Sequence, residues 1–254
     1  MNAPTHNRSG ERIAVLAIVG ATLSWVVHAQ ELAPVNDSAI RSSFVIDQLE
    51  YASYHSGSVK APNALYFNTT GWVGGDFNRL WVNAEGTKPD NERLQDFDVQ
   101  LLYGRLLSPF WDVQAGFRYF DVGAGTPSRG YGVLSLQGLA PYRFEVQTAA
   151  FVSDHGDVSG RFELEYDLLL TQRWVLQPRF ETNVALQKVK EQRIGSGIND
   201  VDLGLRLRYE IRREFAPYVG VSWQDRYGGT AQFLRERGEA VGEWRLVAGL
   251  RVWY

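Results

Sequence analysis

The chain has 254 residues, a formal charge of -3 and no cysteine. That mild acidity speaks against a nucleic-acid binder, which carries a basic patch, and the missing thiols exclude disulfides, thiolate metal sites and cysteine nucleophiles. Aromatic residues make up 13%, with eight Trp and twelve Tyr, a share that suits the interfacial girdles of a membrane barrel.

Arg8 and Arg12 precede an apolar stretch from Ile13 to Val27, and Val27-His28-Ala29 offers a small-residue exit before Gln30. This is the layout of a secretory signal peptide over residues 1–29. Interrupted by Gly20, Thr22 and Ser24, the stretch is short against the roughly 20 residues a spanning helix needs. A polar lead-in, 30–41, then precedes one domain, 42–254.

Within that domain one rule repeats. A first strand is expected near Phe44 to Tyr54, with Gln48 and Glu50 opposed by Leu49 and Tyr51. The second runs near Leu65 to Gly75, and Gly75-Asp76-Phe77-Asn78 supplies the turn chemistry for a tight reversal. In the third, Leu80, Val82 and Ala84 face away from Arg79, Trp81, Asn83 and Glu85. In the fourth, Phe97, Val99, Leu101 and Tyr103 face away from Asp98, Gln100 and Gly104. The fifth alternates Val113, Ala115, Phe117 and Tyr119 with Asp112, Gln114, Gly116 and Arg118.

The sixth strand, Tyr131 to Leu139, is rich in glycine, and Ala140-Pro141 turns the chain into the seventh, where Phe144, Val146 and Thr148 oppose Arg143, Glu145 and Gln147. The eighth sets Phe162, Leu164, Tyr166 and Leu168 against Arg161, Glu163, Glu165 and Asp167. In the ninth, Gln177, Arg179 and Glu181 share a face, and Pro178 on the other face deletes one ladder donor. The tenth has the strictest pattern: Leu203, Leu205, Leu207, Tyr209 and Ile211 alternate with Gly204, Arg206, Arg208 and Glu210. Val219, Val221 and Trp223 mark the eleventh, and Trp244 to Tyr254 the last.

Such period-two alternation makes one face of each strand apolar and the other charged. A single instance fits a soluble sandwich. About twelve in succession fit a sheet closed on itself in lipid, which accepts no open edge and no bare peptide groups. Connections after odd strands are long (roughly 56–63, 86–94, 121–128, 154–159, 188–199 and 226–240) and those after even strands short, as when one rim faces outside and the other the periplasm. The expected fold is all-β: a closed antiparallel up-and-down transmembrane barrel of about 12 strands with a charged lumen, set in the lipid of a Gram-negative outer membrane.

The charged parity then converges inward, Arg143 among it. Because acids and arginines are both plentiful, one reading is a packed ion-pair network that fills the barrel. Another is a conduit or cation site whose sign is set by Glu145, Glu163, Glu165, Asp167 and Glu181, on neighbouring strands. Beyond the leader the chain has two histidines, His55 and His155, both in predicted outer loops, and no sulfur ligand. Soft Cu(I) coordination is therefore not expected, while Cu(II) could use imidazole and carboxylate. No phosphate-binding glycine loop or hydrolase triad stands out, so neither an enzyme nor an organic cofactor is expected.

Several long runs resemble the copper resistance protein B family of outer-membrane proteins. They are the run from Leu203 to Trp223, Trp72-Val73-Gly74-Gly75-Asp76, Leu136-Gln137-Gly138-Leu139-Ala140, Glu165 to Thr171, and Leu176-Gln177-Pro178. The likeness implies a copper-tolerance barrel that binds or passes copper ions and works beside periplasmic copper-handling proteins such as a multicopper oxidase. One departure is plain: many members carry a Met- and His-rich segment before the barrel, and Gln30 to Arg41 contains neither residue.

Overall fold

The computed structural model describes residues 39–55, 62–123 and 125–254, so the expected leader and most of the lead-in lie outside the described residues. The strands are β1 Arg41–His55, β2 Ala64–Gly74, β3 Asn78–Pro89, β4 Gln95–Ser108, β5 Trp111–Asp121, β6 Arg129–Ala140, β7 Phe144–Ser153, β8 Val158–Glu165, β9 Leu168–Leu169, β10 Trp174–Ala185, β11 Gly197–Tyr209, β12 Phe215–Arg226 and β13 Gly242–Trp253. Each stave pairs antiparallel with the next, and β13 returns to β1 (Tyr51 opposite Ala248), which closes the ring. β8 and β9 both pair with β10 as two pieces of one stave, so the wall has twelve. Among the described residues no helix is long and apolar enough to cross a membrane; the staves do the crossing.

The eighth stave was expected to run unbroken through Asp167, and it is interrupted at Tyr166 and Asp167. The cause lies on the neighbour. Tyr166 donates its N–H to the Pro178 carbonyl at 3.2 Å, but Pro178 has no N–H to return, so the reciprocal bond of that pair is missing.

Side-chain direction follows the alternation. On β11, Leu203 and Leu205 are 44% and 42% exposed on the outer surface, whereas Arg206 and Arg208 are 5% and 3% exposed inside. Leu101, Phe117, Leu134, Val219 and Leu246 join the outer belt. Arg143 is a correction: it is not in the lumen. Tyr142 and Arg143 take left-handed backbone (φ 65° and 67°) to reverse the chain between β6 and β7, which leaves the Arg143 side chain exposed at the short-turn rim.

The connections after odd staves are the longer ones at 56–63, 122–128, 186–196 and 227–241, but 90–94 and 154–157 are no longer than 210–214 on the other rim. On the long side, however, β3 runs on to Pro89, and the stretch expected as a plain connection after β12 contains a helix, α1, Gly228–Glu236.

Candidate functional site in the lumen

Inward-facing side chains fill the barrel with two kinds of material. Against β3 to β7 lies an apolar wedge of Trp81, Leu102, Tyr131, Val133, Ala149 and Phe151, with Trp72 and Phe120 packed on it. The sequence held the signal, since Trp81 sits between Arg79 and Asn83, and Leu102 between Gln100 and Gly104, on the charged parity. Gly104 makes the wedge possible, because a Cβ there would lie 2.6 Å from Trp81 Nε1. Arg118 joins wedge to charge: its guanidinium lies over Phe120, Tyr131 and Phe151 at 4.6, 5.2 and 4.3 Å, and its Nε donates to Asp98 at 2.7 Å.

The rest of the interior is ionic. Arg161 of β8 reaches Glu85 of β3 at 2.6 Å, Glu181 of β10 at 3.5 Å, Asp98 of β4 at 3.7 Å and Glu163 at 4.0 Å. Since β3 and β4 stand five and four places from β8 round the ring, these contacts cross the lumen. Arg179 holds Glu163, Glu165 and Glu181 at 3.0, 2.9 and 2.9 Å. Five carboxylates thus share the three guanidiniums Arg118, Arg161 and Arg179, an excess of two acids. Beside the crossing is a cavity of about 40 Å³ lined by Asn68, Asn83, Ala84, Glu85, Asp98, Gln100, Gln147, Arg161 and Glu163. That is room for a few waters or a bare ion.

Further pairs extend the network. Arg206 grips both oxygens of Glu50 at 3.0 Å, and Tyr218 Oη donates to the same carboxylate at 3.0 Å. Arg208 meets Asp167 at 2.6 Å and Arg251 meets Asp47 at 3.0 Å, while Arg245 bonds Asp202 and Ser222.

The residues singled out from sequence separate into three groups. Glu163, Glu165 and Glu181 come together on Arg179. Asp167 sits at the break in the eighth stave on Arg208, and Glu145, across the β7–β8 ladder from Glu165, is exposed, with Asp167, Arg251 and Asp47 among the charges around it. The histidines stand apart. His155, in the turn after β7, lies with Nδ1 2.7 Å from Asp154 Oδ1, both exposed, and this hydrogen bond holds the Asp154 carboxyl below its usual pKa. His55 ends β1, six places away round the ring, and its side chain lies outside the described residues. Glu85 and Asp98, by contrast, join the acids from the opposite wall. Among the described residues no three His, Asp or Glu side chains converge in a geometry ready for a metal ion.

The 186–196 connection leans over the long-loop mouth. Tyr131 Oη donates to Gln192 Oε1 at 3.1 Å and Gln192 Nε2 donates to the Pro127 carbonyl at 3.0 Å. Arg129 ties Asp157 at 2.5 Å and Glu191 at 3.6 Å, and α1 props the same loop through Thr230, whose Oγ1 accepts from Gly195 N at 2.9 Å.

Comparison with known proteins bears on both wall and lumen. Among solved structures, a NanC porin superposes with a TM-score of 0.52 at 12% identity, covering 82% of this chain and 98% of that one, which speaks to the fold. The Copper resistance protein B homolog of Pseudomonas syringae pv. tomato is 39% identical over 254 residues, all of this chain and 84% of that protein. Copper resistance protein B of Escherichia coli is 40% identical over 220 residues, 87% of this chain and 72% of its own. The family model for the copper resistance protein B precursor matches residues 40–254, the whole of the closed wall. This Gram-negative outer-membrane barrel therefore belongs to the copper resistance protein B family.

Proposed function

We propose that the barrel handles copper at the outer membrane by holding Cu(II), or letting it pass, at the oxygen-lined cavity in its lumen, whose carboxylates, now on arginines, would have to draw together around the ion. The observation that carries this reading is the cavity's lining in a barrel of this family: Glu85, Asp98 and Glu163 with the amides of Asn68, Asn83, Gln100 and Gln147. Cu(II) accepts carboxylate and carbonyl oxygen, whereas Cu(I) favours sulfur, which the chain lacks apart from Met1. An acid excess over the nearby guanidiniums gives the site the sign a cation needs. On this reading the barrel works beside periplasmic copper-handling proteins such as a multicopper oxidase, and we assign it no chemical step.

The test pairs Glu85→Gln with Glu163→Gln. Wild-type barrel in detergent binds Cu(II) in calorimetry and restores copper tolerance to a strain lacking its own copy. The double variant, folded by its migration on unheated gels, loses on the order of tenfold in affinity and fails to restore tolerance. A second reading, in which these acids only pack the barrel, draws on their ion pairs with Arg161 and Arg179. Unchanged copper binding and tolerance in the double variant would decide for it.

A further inference from the structure

We infer that Arg161 is the gate of the lumen: a tethered cation that closes a cation path by lying across it. Arg161 extends from β8 and its guanidinium ends 2.6 Å from Glu85 on the far wall, with Asp98, Glu181 and Glu163 within 4.0 Å. Carboxylates of four staves therefore surround one positive group near the axis. A passing cation would have to occupy that place.

Neighbouring contacts make this a seal. On one side the aromatic wedge occupies the space against β3 to β7 as far as Arg118, which is stacked on Phe120 and Phe151 and bonded to Asp98. On the other, Arg179 is held by three carboxylates, two on its neighbouring stave and one on its own. Both of those guanidiniums lie along a wall, whereas Arg161 bridges the two walls. Beside it is the cavity of about 40 Å³, walled by its own acceptors and by amides, so swinging Arg161 aside would join that space to the gap it leaves.

Charge sets what would follow. With Arg161 in place the central cluster already has two more acids than guanidiniums, and without it the excess rises by one. Rings of carboxylate favour cations and repel anions in a narrow low-dielectric passage. The path opened by removing Arg161 therefore conducts cations. This holds for any small cation and does not rest on copper.

The experiment uses the full-length barrel in planar bilayers under a potassium chloride gradient. Wild type is expected to pass little current. Arg161→Gln raises unitary conductance on the order of tenfold, with a reversal potential that shows potassium as the carrier. The double variant Arg161→Gln with Glu85→Gln removes the bridge while keeping the charge excess, so it serves if the single variant does not fold, and it conducts as well. Added guanidinium ion fits the vacated place and blocks both variants, a response that altered packing alone does not give. The inference is overturned if the folded variants conduct no more than wild type, as when the 186–196 cap is the real seal. Chloride-selective current, or current indifferent to guanidinium, overturns it equally. Loss of copper binding in the acid-to-amide variants leaves it standing, so the two readings fail separately.

Discussion

Burial decides what each charged residue contributes. The side chains of Arg206 and Glu50 are each 6% exposed and bonded to one another through two contacts, with Tyr218 completing the carboxylate's shell. Removing one partner leaves the other charged and dry, so Arg206→Ala should cost about 3–5 kcal/mol in reversible urea unfolding in lipid. Arg41 and Asp76 are 68% and 51% exposed and 3.6 Å apart; Arg41→Ala should change stability by less than about 1 kcal/mol in the same assay. Equal losses would mean that the lumen is as wet as the rim. Gly104 acts through what it lacks: any side chain there meets the Trp81 indole, so Gly104→Val should destabilise by about 1–3 kcal/mol and shift the Trp fluorescence.

Among the elements, the eighth stave is the informative one. Its interruption at Tyr166 and Asp167 faces Pro178, whose ring points outward. Pro178→Val supplies the missing donor to the Tyr166 carbonyl. One ladder bond regained should add about 0.5–1.5 kcal/mol and slow amide exchange at residues 166 to 168. No change at those amides would show that something else breaks the stave. Asp167, seated in the break, can reach Arg208 at 2.6 Å, so the irregularity aims a carboxylate as well as ending a ladder. In the connection after β12, a run from Gly228 to Glu236 became a helix that props the neighbouring loop.

For the whole molecule, the solvent on each side of the wall sets the rules. The outer belt around Leu205 meets hydrocarbon, and the closed ring pairs its staves edge to edge, with the Tyr166 carbonyl opposite Pro178 the exception. Leu205→Arg places a charge in that belt and should cost about 2–4 kcal/mol near the midplane, with the penalty shrinking for equivalent changes toward either rim. Refolding titrations into vesicles measure this, and a flat profile along β11 would contradict the membrane setting. Inside, an aromatic wedge and a crossing ion pair share the volume, so the barrel differs from a wide aqueous pore in what occupies its interior.

Direction was legible in the sequence. Alternation on each strand told which side chains face lipid, as Leu205 and Arg206 illustrate, and the number of alternating segments matched the twelve staves. Pro178 was legible as a lost donor in its own stave, but the break it causes falls on the neighbouring one, at Tyr166 and Asp167. The meeting of side chains was not legible, because partners across a lumen depend on closure, tilt and stagger of the ring, which no single strand records. Arg161 and Glu85 lie 76 positions apart and Tyr218 and Glu50 lie 168 apart. Only the closed wall made them neighbours, and only it turned Trp81, Leu102 and Phe151 from exceptions to a pattern into a core.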